Sequence, residues 1–426
     1  MSSDLPSYDE AAAQVAAYLS GAGQPKPPTE RVKISRVPGR ILARPLRADR
    51  DQPPFARSTR DGFACRAKEA SAHLPLKIAG MTRAGDAPAR KLAPGSVREI
   101  MTGAPVPPGA DAVAMLEHVE TNDGCITLSP KRTLSPGENI VARGAQARKR
   151  DLLLPSGTTL THAHVALAAT CGSSSLDVFL RPRVAILCTG DEIVPIESSP
   201  GPGQIRNSNG PMLAALVAAA GGEPWILPTA HDNARSLDAA LAKAAKADLL
   251  LITGGVSAGK FDLVEPALAK AGARFHFTGV RIQPGKPLVF GEMPKLAEAP
   301  RGKKSSSRGG RALPFFGLPG NPVSSAVTFL LFAAPVLNSL AGGLEPHSRF
   351  ALARLTAADR TAKAGITRFL PAKCTFGAGG KLPEVAFVPW QGSGDLAAMA
   401  LANCFIVIPE GAESFEPGAI VKILIY

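Results

Sequence analysis

The middle of the chain alternates between patterns of buried strands and patterns of helices. Continuous apolar runs predict buried strands at residues 184–188, 225–227, 249–252, 275–280, 288–290 and 315–318. Ala- and Leu-rich segments between them predict helices at residues 212–220, 234–246 and 262–271, and a long apolar helix after Asn321. Strands that alternate with helices predict a mostly parallel sheet covered on both faces.

The two flanks of this region have a different pattern. Gly- and Pro-rich sequence from about residue 28 to 180, with short apolar stretches at 74–78 and 112–116, predicts small β structure. Short helices are predicted at residues 161–170 and 7–19, where Ser7 and Glu10 fit a capping box. Beyond residue 342, a small all-β domain is predicted, with strands at residues 350–355, 369–374, 405–408 and 420–425.

Length and composition indicate a globular protein of several domains. At roughly 150 residues per domain, 426 residues correspond to about three. No uninterrupted apolar run approaches the ~18–20 residues of a membrane helix, and the first residues lack the pattern of a signal peptide. We therefore expect a cytoplasmic protein without a membrane partner. None of the six cysteines forms a CxxC pair, so we expect reduced, buried thiols rather than a zinc ribbon.

The formal net charge of +13 indicates an anionic partner. Aromatic residues make up only 5% of the chain, which argues against nucleic acid because single-stranded nucleic acid is bound by stacking. Nucleic-acid binding therefore remains a weaker alternative that depends on the charge alone. The segment from Pro294 to Pro314 is basic and rich in Ser and Gly, which predicts a solvated surface loop.

Three loops that follow predicted strands carry groups suited to anions or metal ions. Asp191 and Glu192 end the first loop, where two carboxylates bind Mg²⁺ or cap a helix. The second loop, residues 253–262, has three glycines whose backbone can approach an anion, and Asp262 is a candidate metal ligand or helix cap. In the third loop, Asn321 and Pro322 begin a helix whose free N–H groups favour anions.

A lysine in a rigid turn lies upstream of the third loop. Lys286 stands in the run Gln283-Pro284-Gly285-Lys286-Pro287 and is suited to a phosphate as a point charge. Each loop has a structural explanation when it is taken singly. Because the carboxyl ends of parallel strands meet at one sheet edge, the loops together predict an anion-binding cleft.

Six ordered motifs carry a resemblance to a known family. They are residues 57–64, 100–105, 189–192, 253–259, 284–287 and 317–322, and residues 391–394 and 404–409 extend the match almost to the end. The whole resembles the molybdopterin molybdenumtransferase family, relatives of the gephyrin E domain.

The resemblance implies an elongated homodimer whose subunits are multidomain α/β plus β proteins. A linker and dimerisation subdomain would comprise residues 1–57 with 143–180, and a small β subdomain residues 58–142 with about 28–45. Residues 181–341 would form a mostly parallel three-layer α/β domain similar to molybdopterin adenylyltransferases. Residues 342–426 would form a small β-barrel-like domain.

The resemblance also implies a reaction. Proteins of this family take adenylylated molybdopterin and molybdate, cleave the phosphoanhydride, insert molybdenum at the dithiolene and release AMP, with Mg²⁺ as cofactor. A molybdopterin adenylyltransferase and apo-molybdoenzymes are then expected partners. The chemistry needs positioning and charge neutralisation rather than a covalent nucleophile.

Roles follow by motif position. Asp61 and Thr102 would reach the cleft from the partner subunit. Glu192 and Asp262 would hold the metal or orient the pyrophosphate, and Lys286 would meet anionic groups. The substrate-binding residues implied by the motifs are Asp191, Gly254, Gly255, Ser257, Gly259, Pro319, Gly320, Asn321, Pro322, Arg368 and Ser393.

The chain departs from the family pattern near the implied site. Gln146 stands where relatives commonly carry an acid, Asn207 replaces a frequent Asp, Lys260 a frequent acid and Gln283 a frequent Lys. Arg60 precedes Asp61 where an uncharged residue is usual. Fewer carboxylates weaken Mg²⁺ binding and favour polyanions. An alternative is therefore a diverged carrier that binds molybdopterin or the finished cofactor without catalysis.

Overall fold

The computed structural model describes nine stretches of the chain, and structural statements below concern these residues. They are residues 5–21, 27–87, 89–255, 263–295, 312–344, 350–358, 365–377, 382–412 and 414–426. The chain divides into two compact units, of which the first is Met1–Glu30, Gly39–Ala43 and Val178–Tyr426, and the second is Arg31–Pro38 and Arg44–Asp177.

The elements of the described residues are numbered along the chain. The α-helices are α1 (Tyr8–Gly21), α2 (Ala67–Ala70), α3 (His162–Thr170), α4 (Asn209–Ala219), α5 (Ala234–Ala244), α6 (Val264–Lys270), α7 (Pro322–Thr328), α8 (Ala334–Leu340) and α9 (Leu396–Leu401). A π-helical turn, Phe329–Ala333, joins α7 to α8, and single 3₁₀ turns lie at Ile34–Arg36 and Leu116–His118.

The strands are numbered in the same way. They are β1 (Thr29–Lys33), β2 (Leu46–Arg47), β3 (Arg57–Ser58), β4 (Gly62–Cys65), β5 (Leu76–Thr82), β6 (Ser96–Ile100), β7 (Ala112–Met115), β8 (Val119–Asn122), β9 (Cys125–Leu128), β10 (Ile140–Val141), β11 (Leu152–Leu154), β12 (Ser175–Phe179), β13 (Arg183–Cys188), β14 (Ile193–Val194), β15 (Ile205–Arg206), β16 (Glu223–Ile226), β17 (Leu249–Thr253), β18 (Arg274–Phe277), β19 (Ile282–Gln283), β20 (Val289–Pro294), β21 (Ala312–Leu318), β22 (Phe350–Leu355), β23 (Thr367–Thr375), β24 (Glu384–Phe387), β25 (Cys404–Ile408) and β26 (Ile420–Ile425).

The first unit contains a six-stranded sheet in the order β16-β13-β17-β21-β20-β18. The pairs β16–β13, β13–β17 and β17–β21 are parallel, whereas β20 and β18 add antiparallel neighbours. After β13 the chain crosses to β16 on one side and then to β17 on the other. This reversal makes the carboxyl ends of β13 and β17 the place where an open α/β sheet forms a crevice.

Helices cover both faces of this sheet. Alternate residues of β13 point to opposite faces, as in any strand. Val184 and Ile186 pack with α1, α4, α7 and α8, whereas Ala185 and Leu187 pack with α5 and α6. The three-layer α/β domain predicted from the sequence is therefore confirmed.

The C-terminal part of the first unit is a closed five-stranded barrel. Its strands run β23-β24-β22-β26-β25, and β25 pairs again with β23 to close the ring. The short strand β19 pairs with β23 on the barrel's side, in register Ile282 with Thr367 and Gln283 with Arg368. The predicted barrel-like domain is confirmed. Strand β24 and helix α9 are additions that the sequence patterns did not indicate.

The second unit is built on a six-stranded sheet in the order β7-β4-β6-β5-β9-β8. One apolar cluster, which includes Phe63, Val97 and Ile126, packs one side of the sheet. A smaller cluster around Ile100 and Val113 packs the other. The small β structure predicted for this region is therefore observed.

Two segments bear on the expectations of a surface loop and of no membrane span. The predicted loop between Pro294 and Pro314 is shorter at its ends, because β20 extends through Pro294 and β21 begins at Ala312; residues 296–311 lie outside the described residues. Among the described residues, the helix Pro322–Leu340 is long and apolar enough to cross a membrane, but 83% of it is buried inside the protein. Its burial is that of a core helix.

Candidate functional site

A cleft of about 1210 Å³ opens at the predicted edge of the α/β sheet. Its lining includes the ends of β13, β17 and β21, the turn after β19, and a barrel loop. Of the predicted residues, it brings together Glu192, Gly254, Gly255, Lys286, Pro319, Gly320, Asn321, Pro322 and Ser393. The convergence that the sequence predicted for the three loops is therefore observed.

The corner after β17 requires glycine. Gly254 has φ +91°, and a Cβ there would lie 2.5 Å from the backbone oxygen of Thr189. Gly255 has φ +62°, and a Cβ there would lie 3.0 Å from the Thr189 hydroxyl. The positive φ angles and the lack of space for a Cβ atom both exclude a side chain at these two positions. The backbone itself therefore forms this wall of the cleft.

A buried hydroxyl ties three loops together beneath the cleft. Thr253 Oγ1 donates to the carbonyl of Pro319 over 3.1 Å and accepts from Asn209 Nδ2 over 2.9 Å. Asn209 Nδ2 also donates to the carbonyl of Gly320 over 2.6 Å. Ser325 Oγ lies 3.2 Å from Thr253 Oγ1. The ends of β17 and β21 and the start of α4 therefore form one hydrogen-bonded unit.

The helix start at Asn321 contacts the barrel. Asn321 Nδ2 donates to Ser393 Oγ over 2.7 Å, and the backbone N–H of Val323 donates to the carbonyl of Ser393 over 3.0 Å. These bonds hold the loop of Ser393 against the amino end of α7. Two residues predicted from separate motifs are thus in direct contact.

The turn after β19 presents Lys286 to solvent. The Lys286 carbonyl accepts from the backbone N–H groups of Val280 and Leu288, over 3.0 and 2.9 Å, while its side chain is exposed. Gln283 lines the cleft, and its Oε1 is buried without a hydrogen-bond partner among the described residues. Arg368 is buried beside Gln283 in strand register and is not among the lining residues.

The two predicted carboxylates after β13 have different surroundings. Asp191 is exposed, and its Oδ1 lies 3.0 Å from His231 Nδ1 and accepts from the backbone N–H of Asp232 over 3.3 Å. Glu192 lies in the cleft lining together with Asp232. Asp191 therefore positions the loop that carries Asp232, and Glu192 and Asp232 are the carboxylates of the described lining.

Asn207 has a structural role. Its Oδ1 accepts from the backbone N–H of Gly210 over 2.9 Å at the start of α4 and from the Cys188 thiol over 3.4 Å. Burial raises the pKa of the Cys188 thiol, so the sulfur remains a protonated donor. The amide keeps the one oxygen that an aspartate would use for this cap.

In the second unit, Asp61 and Thr102 are in contact. The backbone N–H of Thr102 donates to Asp61 Oδ1 over 2.6 Å, and both residues are exposed. The hydrogen bonds from Thr102 lower the pKa of the Asp61 carboxyl, so this group is ionised at neutral pH. The role of these residues in a partner subunit's cleft stays a prediction.

Some predicted residues lie outside the described residues, and some cleft residues were not predicted. Ser257, Gly259, Lys260 and Asp262 belong to the undescribed segment 256–262. Asp232, Asn209 and Trp390 line the cleft although no sequence motif predicted them as site residues. Asp232 follows the predicted strand at residues 225–227 at the same sheet edge, so the strand-end rule could have found it. No comparable signal marked Trp390.

Three family models match consecutive parts of the chain. The MoeA N-terminal region (domain I and II) matches residues 6–172, the probable molybdopterin binding domain matches residues 185–339, and the MoeA C-terminal region (domain IV) matches residues 354–426. A Bacillus subtilis protein named molybdopterin molybdenumtransferase is 35% identical over 405 residues, which are 93% of this chain and 90% of that relative. The chain belongs to the molybdopterin molybdenumtransferase family.

Further relatives agree with this membership. A Nostoc protein with the same name is 37% identical over 75% of this chain and 71% of its own length. The crystal structure of a molybdopterin biosynthesis MoeA protein from Pyrococcus horikoshii OT3 covers 99% of this chain and 100% of its own, with a TM-score of 0.79 and 28% identity. The family that the six motifs predicted is confirmed.

Proposed function

We propose that this protein inserts molybdenum from molybdate into adenylylated molybdopterin and releases AMP. Membership of the molybdopterin molybdenumtransferase family supports this proposal. The observation that carries it is one cleft in which Lys286, the Gly254 corner and the helix start at Asn321 share the lining. These are groups suited to the phosphates of the substrate and to molybdate, itself a dianion.

The chain's own residues would act by position and charge. Lys286 neutralises the negative charge that develops as the phosphoanhydride is cleaved, and the glycine corner lets backbone N–H groups approach the phosphates. The buried bonds of Thr253 keep these loops in fixed relative positions. Such preorganisation lowers the barrier because the groups do not reorganise during the reaction.

Mg²⁺ is a further part of the proposal. The described residues hold no group of three or more His, Cys, Asp or Glu side chains suited to a metal ion. Mg²⁺ needs fewer, since it is usually held by one or two carboxylates together with substrate phosphates. Glu192 and Asp232 fit this donor set, and Asp262 stays a predicted ligand outside the described residues. Bound there, Mg²⁺ would neutralise charge on the phosphates.

The assembly and cellular setting are also proposals. We expect a cytoplasmic homodimer in which Asp61 and Thr102 of one subunit complete the cleft of the other. The ionised Asp61 carboxyl is suited to a metal ion or to a donor group of the substrate. A molybdopterin adenylyltransferase upstream and apo-molybdoenzymes downstream remain expected partners.

A second candidate function is a carrier that binds the pterin without turnover. The observation that favours it is Gln283, an uncharged residue of the cleft lining at a position where the family resemblance implies a Lys. Gln146 and Lys260 also favour a carrier, because each replaces a frequent acid and so weakens metal binding. A carrier needs the binding surface but not the charge neutralisation of cleavage.

An anaerobic assay of AMP release decides between the two functions. Adenylylated molybdopterin and Mg²⁺ are supplied with and without molybdate, and AMP and pterin-bound molybdenum are measured. We expect molybdate-dependent release of AMP with molybdenum on the product. Tight binding without AMP release would establish the carrier, and absence of both binding and release would refute both functions.

A further inference from the structure

Trp390 is the one aromatic side chain among the described residues that line the cleft. The chain has only two tryptophans, and the other, Trp225, lies in β16 outside the lining. Many of the other lining residues of the cleft are small or polar, such as Gly254, Asn321 and Ser393. A large flat apolar surface in such a cleft calls for a ligand that covers it.

The inner side of the Trp390 ring is held by two hydrophobic cores. The side chain is half-buried and packs against both the α/β core that contains Phe332 and the barrel core that contains Ile406. Tryptophan has only two side-chain torsions, so these contacts fix the ring at a small entropic cost. Trp390, which also lines the cleft, is therefore held in place by packing on both domains.

The loop that follows Trp390 is held at both of its ends. The backbone N–H of Gln391 donates to the Asp395 carboxylate over 2.9 Å, and Asp395 also caps α9 by accepting from Ala398 over 3.0 Å. At Ser393 the loop is bound to Asn321 and Val323 of the α/β domain. The barrel therefore offers a preorganised aromatic surface rather than a mobile one.

The cleft has an apolar part and an ionic part. Ile366 and Leu396 share the barrel side of the lining with Trp390. Lys286 and the glycine corner at Gly254 supply a cation and exposed backbone elsewhere in the lining. A ligand that matches both parts carries a flat ring and an anionic group.

We propose that Trp390 stacks on a flat nitrogen heterocycle of the bound substrate and is the ring subsite of the cleft. The inference rests on the proposed function, whose substrate carries a pterin at one end and an adenine at the other. Stacking on an aromatic side chain depends on the π-face that both rings share, so the chemistry is the same for either source. Which ring occupies the subsite is decided by the experiment.

The intrinsic fluorescence of the full-length protein tests this inference. In the variant Trp225→Phe, emission reports Trp390 alone; in Trp390→Phe, it reports Trp225 alone. Trp225 is a suitable control because its ring lies under the Arg183 guanidinium, 3.7 Å from the ring centroid, and outside the lining. AMP and a soluble pterin monophosphate are titrated separately into both variants.

We expect AMP or the pterin to quench Trp390 emission at saturation while Trp225 emission changes only by ligand absorption. Quenching by AMP alone assigns the adenine to this subsite, and quenching by the pterin alone assigns the pterin. Absence of quenching of Trp390 by either ligand, when equilibrium dialysis shows both bound, overturns the inference. Equal quenching of both tryptophans also overturns it.

Binding constants give a second test. Trp390→Leu should weaken binding of the quenching ligand about 10-fold, and Trp390→Phe should retain most of the affinity because it keeps an aromatic face. Equal affinities of the Leu and Phe variants, each with an unchanged thermal midpoint, overturn stacking. Quenching without molybdate-dependent AMP release would refute the proposed transferase and leave the ring subsite standing.

Discussion

The two walls of the cleft are built in different ways. On the α/β side, the polar groups that fix the loops are buried: Thr253 is 2% exposed and Ser325 is 0% exposed, and their hydroxyls join the ends of two strands. On the barrel side, the loop of Ser393 is fixed by surface bonds to Asp395 and Asn321. Buried hydrogen bonds gain strength from a low dielectric, whereas surface bonds compete with water.

This difference assigns different tasks to the walls. Buried hydrogen bonds and sterically required glycines hold the α/β wall, so it suits the phosphates, where small displacements change the reaction rate greatly. The barrel wall is held by groups that respond to solvent and pH, so it suits binding of a ring, which tolerates small displacements. We therefore expect changes in the α/β wall to affect turnover and stability more than changes in the barrel loop.

The largest expected effect is the loss of AMP release when the charge of Lys286 is removed. Lys286→Ala should lower AMP release about 100-fold, because one preorganised group for developing charge is lost. The thermal midpoint should not change, since the side chain is exposed. Lys243→Ala is the matched control and should retain full activity. Lys243 is an exposed lysine on α5, outside the cleft lining. Equal activities of the two variants would remove Lys286 from the mechanism.

The next effect concerns the glycine corner. Gly254→Ala should destabilise the protein by about 3 kcal/mol, because a left-handed backbone and a clash with the Thr189 carbonyl add together. Gly203→Ala is the control, since Gly203 also has positive φ, +81°, but nothing lies within 4 Å of its Cβ position. It should cost about 1 kcal/mol from the backbone alone. Urea unfolding measures both, and similar losses would show that the corner has room for a side chain.

A smaller effect is expected from the buried hydroxyl. Thr253→Val should destabilise the protein by about 2 kcal/mol, because Asn209 and Pro319 lose a buried hydrogen-bond partner. Thr253→Ser keeps the hydroxyl and should lose less, mainly a methyl group. Urea unfolding and AMP release are measured for both variants. If the Val and Ser variants behave alike, the hydroxyl does not hold the loops together.

The smallest effect is expected in the barrel loop and depends on pH. Hydrogen bonds from the backbone of Ala398 and Gln391 lower the pKa of the Asp395 carboxyl from its ordinary value. Because the pKa is lower in the folded protein, the ionised carboxylate stabilises the loop at any pH above the ordinary carboxyl pKa. This contribution is lost as the pH falls through the lowered pKa. In a Trp225→Phe background, Trp390 emission should therefore change only in acid.

Asp395→Asn is the control for this titration. An amide does not titrate, so the acid transition in Trp390 emission should disappear in the variant. Persistence of the same transition would assign it to another group, and the loop would then not depend on Asp395.

Particular residues show how far sequence patterns predict this site. Glu192, Gly254 and Asn321 each follow a continuous apolar strand, and parallel strands bring their carboxyl ends to one edge, so their convergence was predictable. The family resemblance also implied Arg368 as a substrate-binding residue, yet it is buried beside Gln283 and is not in the lining. Asp191 and Glu192 are neighbours in the chain, but only Glu192 lines the cleft. Sequence spacing does not encode the direction in which such a side chain points.

The amino-acid sequence by itself determined the layered α/β domain, the barrel, the family and the strand-end loops, because periodicity, glycine positions and motif order are local properties of the chain. Only the tertiary structure decided that Trp390 stands in the cleft, that Thr253 joins three loops and that Asp191 bonds to His231. These features depend on contacts between residues far apart in the chain. No local pattern records such contacts, because they arise only when separate elements of the chain pack together.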